Sequence, residues 1–149
     1  MRFLLLSLGI SACSACVSAP KPLEAEPLYF ALEVRSQGRL VARPKLLGAN
    51  GVRLQAERRQ PGATEPDFQL TLDPEGSGET FRVSLDLAIP SGRGRSRLAL
   101  LHGQERKIQL GARPGDLEVS LMLMRVDSPE FRALMAYNTS VPGTDAGAI

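Results

Sequence analysis

Histidine and tryptophan are the scarcest residue types in this chain, which has one histidine and no tryptophan. A metal site built on two histidines and a histidine relay both need more imidazoles than are present. The single histidine, His102, stands before a glycine at the predicted end of a strand, where a surface histidine bonded to its neighbours or to water is the ordinary arrangement. Aromatic residues make up only 5% of the chain, so aliphatic side chains have to form most of the core.

Cysteine occurs only near the amino terminus, as Cys13 and Cys16. The remainder of the chain therefore lacks both an internal disulfide and a thiolate metal site, and its stability has to come from buried apolar surface. Neither sign of charge is in excess, because 18 lysines and arginines face 16 acids and the net charge is +2. This balance gives no general attraction to nucleic acid. We expect no cofactor, no metal and no nucleic-acid partner.

The amino-terminal segment has the organisation of an export signal. Arg2 precedes an apolar run over residues 3–10, which is far shorter than the ~20 residues that span a bilayer. The run ends in Ile10-Ser11-Ala12-Cys13, an aliphatic residue, two small residues and a cysteine. This tetrapeptide resembles the lipobox of bacterial lipoprotein precursors, and all four of its positions match.

The resemblance implies that Cys13 receives a diacylglycerol thioether, that the chain is cleaved before it, and that the new amino terminus is acylated. Several acyl chains give a stable anchor, whereas one chain holds only marginally. Ser14 rather than aspartate follows the cysteine, which in enterobacteria-like sorting implies the inner leaflet of the outer membrane, facing the periplasm. The alternatives are an ordinary secretory signal cleaved near Ala15 or Ala19, and an uncleaved cytosolic chain.

The length of 149 residues suits one domain. We expect residues 1–12 to be the signal peptide and residues 13–27 to be a proline-containing tether behind the lipidated cysteine. Residues 28–137 form the predicted domain, and residues 138–149 form a flexible tail.

Strict alternation of apolar and polar residues predicts strands through most of the domain, most clearly over residues 81–89. Ser128-Pro129-Glu130 is typical of a helix start. About eight antiparallel strands with short turns between them indicate an all-β sandwich or open barrel with one short C-terminal helix. The other predicted strands cover residues 28–35, 40–47, 52–57, 68–72, 97–101, 106–110 and 117–126.

Several local signals refine this prediction. Pro44 inside a strand indicates a sheet edge or a bulge, and Asn50-Gly51 favours a tight hairpin. Residues 74–79 and 90–96 are interpreted as turns rich in glycine, proline and serine. The strand over residues 117–126 is apolar on both faces in its second half, which predicts a central position.

One segment carries a local excess of positive charge. Arg93, Arg95 and Arg97 alternate with glycine and serine over residues 91–97, at the predicted loop and the first residue of the strand that follows it. Three guanidinium groups can grip phosphates or carboxylates of lipopolysaccharide or peptidoglycan. The other interpretation is a solvated basic hairpin tip.

The sequence offers little for catalysis. No serine stands in a nucleophile elbow, and Gly76-Ser77-Gly78 lacks the outer glycines of that motif. A small envelope hydrolase with a carboxylate site is the enzymatic alternative, and a cleft that gathers two aspartates would favour it. The candidate aspartates are Asp73, Asp86, Asp116 and Asp127.

The chain is also similar in part to the C-terminal β-domain of bacterial secretins. Three segments are similar and follow the same order as in that family. Residues 39–51 have an aliphatic-x-x-Pro pattern before Asn-Gly, and residues 81–90 end in proline. Residues 102–111 are similar to a later strand that contains Gly-Gln. It implies a secretin-like or secretion-accessory domain, although the plug segment and the membrane-lip motifs of that family are missing. The primary prediction is a non-catalytic, lipid-anchored binding or scaffold component of the cell envelope. Its partner would be an envelope protein or an anionic glycan.

Overall fold

A computed structural model describes residues 25–140. The predicted signal peptide, Cys13 and most of the tether lie outside this range. Two antiparallel sheets face each other and a helix follows them, so the predicted all-β sandwich with a C-terminal helix is confirmed. The elements are β1 (Pro27–Ser36), β2 (Arg39–Ala42), β3 (Lys45–Ala49), β4 (Leu54–Arg58), β5 (Phe68–Ser77), β6 (Thr80–Ile89), β7 (Gly92–Leu101), β8 (Glu105–Gln109), β9 (Glu118–Arg125) and α1 (Pro129–Ser140).

The first sheet has the order β2-β1-β9-β8, and β3 lies along the same edge of β1 as β2. The predicted strand over residues 40–47 is therefore divided in two, at Arg43 and Pro44. Pro44 stands at a sheet edge, as predicted, and the pairing of β1 with β2 has an irregular register between Val34 and Arg35. The second sheet has the order β4-β5-β6-β7, and the described residues form nine strands in all.

The core lies between the inner faces of the two sheets. Phe30 of the first sheet and Phe68 and Phe81 of the second are fully buried, and leucines and valines surround them. No polar or charged residue in the described part of the chain is buried. Apolar contact therefore holds the two sheets together, in keeping with the absence of cysteine from residues 25–140.

The sandwich has two distinct ends. The chain enters at Glu26 and β1 leads away from it, so we call this the entry end and the opposite one the far end. At the far end the Gln37 N–H donates a hydrogen bond to the Gly115 carbonyl at 2.8 Å, which joins two turns of the first sheet.

Helix α1 begins as the sequence predicts and covers part of the outer face of the first sheet. The Ser128 hydroxyl caps it by accepting the Phe131 N–H at 3.1 Å. The Phe131 ring lies 5.2 Å from the ring of Tyr29, which is buried together with Met124 of β9. The predicted central position of β9 is confirmed, since β1 and β8 flank it. The helix continues to Ser140, so the first three residues of the predicted tail are helical.

The Asn50-Gly51 turn forms, but the prediction of a tight hairpin is wrong. Gly51 has the positive φ of 78° that the pair favours, yet the turn connects β3 of the first sheet with β4 of the second. The Gly51 N–H donates to the Pro74 carbonyl at 2.8 Å, and the Gly76 N–H donates to the Asn50 side chain. A tight type I′ hairpin needs positive φ at both Asn50 and Gly51, whereas only Gly51 has it here, so this turn is not of the hairpin type.

The predicted turn over residues 74–79 is also shorter than expected. Strand β5 continues to Ser77, and Gly78, with φ of 64°, turns the chain with Glu79. Pro74 is tolerated because the pairing of β4 with β5 ends at Leu54 and Leu72. The proline ring therefore lies beyond the neighbouring strand and removes no hydrogen bond of the ladder.

The alternation along β6 generates a stability prediction. Leu85 is 2% exposed in the core, whereas Asp86 lies on the outer face. Leu85→Asp places an unpaired carboxylate among aliphatic side chains, at a cost of several kcal/mol against a total stability of ~5–15 kcal/mol. We expect this variant to be unfolded by circular dichroism. Asp86→Ala removes exposed ion pairs worth about 0–1 kcal/mol each, so its melting temperature should change little. Equal effects of the two substitutions would contradict the assigned faces.

Candidate functional site

The three predicted anion-binding arginines lie on a strand and not in a loop. Only Pro90 and Ser91 form the turn before β7, and Gly92 already pairs with Ile89 of β6. The prediction of a loop over residues 90–96 is therefore wrong from Gly92 onward. Glycine and serine suggested a loop, but here they occupy the inward positions of a strand whose outward positions are arginine.

Gly94 shows why a small residue is needed inside β7. A Cβ atom at this position would lie 2.4 Å from the Cβ of Leu110, the residue that follows β8. The two sheets approach each other here at the edge of the sandwich, so Gly94 permits close packing and does not provide flexibility. Gly92 has no neighbouring atom within 4 Å of the corresponding position.

Arg93, Arg95 and Arg97 point away from the core and form what we call the arginine stripe. All three residues are exposed, because they alternate with inward residues along β7. Alternate residues of a strand are about 6.6–6.8 Å apart, so the stripe is a regular row of guanidinium groups. The side chains of Arg93 and Arg95 are 61% and 71% exposed, which leaves them accessible to a ligand.

Asp86 of β6 holds two of these arginines in place. Arg93 donates to both carboxylate oxygens, from Nε to Oδ1 at 3.0 Å and from Nη2 to Oδ2 at 2.9 Å. Arg95 donates from Nε to Oδ2 at 2.6 Å. Arg97 instead donates to the Ser84 hydroxyl at 3.1 Å. The stripe and its local partner thus comprise three positive charges and one negative charge.

The same contacts determine the ionisation of Asp86. The hydrogen bond from Arg93 lowers the pKa of the Asp86 carboxyl, and the bond from Arg95 lowers it further, while partial burial opposes both. In return, Asp86 raises the pKa of Arg93. A carboxyl that acts as a general acid needs a raised pKa, so Asp86 is poorly suited to protonate a glycosidic leaving group.

The four predicted candidate aspartates separate into two groups. Asp73 and Asp86 share the outer face of the second sheet, because the β6 partner of Asp73 is Ser84, two residues before Asp86. Asp73 forms its own ion pair, with Arg53 at 2.7 Å. Asp116 accepts the Arg113 N–H at 3.0 Å in a far-end turn, and Asp127 precedes α1. The sequence does not reveal that Asp73 and Asp86 share one face, because the alignment of β5 with β6 depends on strand register.

His102 is a bonded surface histidine between three elements. Its Nδ1 accepts the Arg125 N–H at 3.1 Å, and its Nε2 lies 3.1 Å from Oε2 of Glu130. The backbone N–H of Glu130 at the helix start, and then His102, lower the pKa of this carboxyl. These residues border a depression of about 370 Å³ at the entry end. Residues 25–140 contain no group of three His, Cys, Asp or Glu side chains placed to hold a metal ion.

A larger depression, of about 690 Å³, lies on the outer face of the first sheet, and none of the predicted site residues lines it. Its lining combines apolar surface with side chains of both charge signs, which are those of Glu33, Arg35, Lys107 and Glu118. Arg35 lowers the pKa of Glu33, with a smaller effect from Arg43. The only sign of this depression in the sequence is that polar residues occupy the outward positions of these strands, and this is also typical of a face that contacts only water.

The close packing at Gly94 can be tested with a matched pair of glycine substitutions. Gly94→Ala introduces a methyl group that overlaps Leu110, and overpacking of this kind costs about 1–3 kcal/mol. Gly92→Ala meets open space in the same strand and should be nearly neutral. Urea unfolding measures both. Equal stabilities of the two variants would show that β7 is not pressed against the residue after β8.

Known proteins offer no guide to the use of this surface. Comparison of the chain with protein-family models, with curated proteins and with solved structures found no match. None of the helical structure within residues 25–140 is long and apolar enough to cross a membrane. Function therefore has to be argued from the surface of the domain, where the arginine stripe is the most regular arrangement of charge.

Proposed function

We propose that this chain is a lipid-anchored component of the bacterial cell envelope which binds or scaffolds an anionic partner in the periplasm and performs no catalysis. The observation that carries the proposal is the arginine stripe, a regular row of exposed cations on a ten-residue strand at the edge of the sandwich. A rigid strand presents such a row at fixed spacing, and guanidinium groups bind carboxylates and phosphates with two parallel hydrogen bonds.

The anchor part of the proposal rests on the lipobox-like segment that ends at Cys13. Strand β1 begins at Pro27, about 14 positions later, and an extended chain spans at most 3.3–3.6 Å per residue. The domain would therefore stay within about 50 Å of its lipid, on the periplasmic side of the outer membrane. A partner on the arginine stripe would be held near the membrane surface.

Two alternatives have weaker support. A secretin-like domain would use Asn50-Gly51 in a hairpin, whereas this turn joins the two sheets. A carboxylate hydrolase would use Asp73 and Asp86, but arginines already bind both carboxylates, Arg53 at Asp73 and the stripe arginines at Asp86. Neither arrangement is as regular as the arginine stripe.

The anchor is tested by Cys13→Ser. Wild-type protein should fractionate with membranes and incorporate labelled palmitate, because the thiol of Cys13 is the only group in the segment that can take the diacylglycerol. The variant should be released or remain unprocessed. Identical fractionation of the two proteins without palmitate in either would overturn the lipid anchor, whatever the domain binds.

The binding surface is tested by replacing Arg93, Arg95 and Arg97 with serine. The purified triple variant should no longer co-sediment with isolated cell envelopes at low salt, and salt should weaken the wild-type interaction because exposed charges are screened. Its melting temperature should stay close to wild type, since the stripe lies outside the core.

A control variant removes the same charge elsewhere, at the exposed arginines Arg39, Arg106 and Arg113. It should co-sediment as wild type does. Equal loss in both triple variants would reduce the interaction to net charge, and unchanged co-sedimentation of the stripe variant would exclude the stripe as the binding surface.

A further inference from the structure

The free edge of β7 carries a more specific inference, which rests on the proposed function and names the class of partner. We infer that an extended, acidic segment of a partner protein adds to this edge as a fifth strand of the second sheet. Addition of a strand to an exposed sheet edge is a general mode of peptide recognition, in which backbone hydrogen bonds give affinity and alternate side chains give specificity.

Strand β7 is the longest unbroken edge of the described sandwich. It covers ten residues and pairs with β6 on one side only. The opposite edge of the same sheet, β4, has five residues, and the edge strand β8 of the first sheet also has five. The remaining edge is divided between β2 and β3 by Arg43 and Pro44. Only β7 offers a partner a long and continuous row of backbone groups.

The backbone groups at this edge belong to particular residues. The two-residue turn Pro90-Ser91 makes Ile89 and Gly92 the closing hydrogen-bonded pair of the β6–β7 hairpin. Hydrogen-bonded and non-bonded pairs then alternate along the ladder. Every second residue from Gly92 onward bonds to β6, and the residues between them direct N–H and C=O toward the free edge. These residues are Arg93, Arg95, Arg97 and Ala99.

The residues with free backbone groups are thus the same residues that form the arginine stripe. Side chains of an added strand would alternate with the same repeat of about 6.6–6.8 Å. Acidic residues at every second position would each lie beside an arginine, as favourable cross-strand pairs of opposite charge. The positions between them would point inward, beside the part-buried Leu98 and the buried Leu100 of β7. The matching partner therefore alternates acidic and apolar residues.

A second copy of the chain is a poor occupant of this edge. Two β7 strands side by side would bring two arginine stripes together. In each copy the three arginines have a single neighbouring carboxylate, that of Asp86. Like charges on neighbouring strands repel, and proteins use this to prevent pairing of exposed edges. The charge that opposes self-association is the same charge that favours an acidic strand.

The test measures binding of a ten-residue peptide that alternates glutamate and valine, by fluorescence anisotropy with the full chain purified in mild detergent. We expect saturable binding at low salt and none by the matched lysine–valine peptide. Two further peptides carry N-methyl groups on alternate residues, one peptide at its odd-numbered positions and the other at its even-numbered positions. Only one phase faces β7, so one methylated peptide should lose at least about tenfold in affinity while the other binds as the parent does.

Two protein variants separate the backbone from the charge. Ala99→Pro removes an N–H that faces the free edge and leaves the bonds to β6 intact, so it should weaken peptide binding at least about tenfold at an unchanged melting temperature. The stripe variant at Arg93, Arg95 and Arg97 should weaken binding similarly, whereas the Arg39, Arg106 and Arg113 control should not. The methylated peptides keep the test decisive even where Ala99→Pro is unstable.

Several outcomes would overturn the inference. Equal binding of the two methylated peptides would mean that side chains alone make the contact. Stripe-dependent binding of lipopolysaccharide or peptidoglycan without peptide binding would assign the surface to a glycan and leave the proposed function standing. A dimer that Ala99→Pro dissociates would assign the edge to a second copy. If neither the peptides nor isolated cell envelopes bind through the arginine stripe, the proposed function itself is overturned.

Discussion

Apolar contact between two sheets is the interaction on which the rest of this structure depends. The chain has no cysteine after Cys16, and the described residues bury no polar side chain that could fix one sheet on the other. Cohesion comes from leucine, valine and phenylalanine at alternate positions, and each strand must keep its phase for the core to stay continuous. The alternate positions point outward and can carry charged side chains, and the arginine stripe occupies such positions on β7.

Much of the fold follows from the sequence because alternation reports directly on burial. The strand at residues 81–89, the capped start of α1 at Ser128 and the central place of β9 all rest on local patterns, and the structure contains each of them. The features that escaped prediction depend on distant parts of the chain. Asn50-Gly51 joins the two sheets, and its backbone and side chain bond to β5, more than 20 residues away in the sequence.

The candidate surface was only half predictable for the same reason. Arg93, Arg95 and Arg97 stand out by composition, but glycine and serine between them are typical of a loop as well as of a closely packed edge strand. What decides between the two is Leu110, which lies far along the chain and leaves no room for a side chain at Gly94. Asp86 likewise meets the stripe through strand register, which the local sequence does not specify.

The position of β1 has a mechanical consequence. The strand begins at the entry end, where the chain joins the sandwich. Strand β9 bonds to one side of β1 over eight residue pairs, and β2 and β3 bond to its other side. Tension transmitted through Glu26 along the direction of β1 would load these hydrogen bonds together, in shear, and could not open them one after another. A domain held from this end is built to resist traction, whichever molecule on its surface supplies the pull.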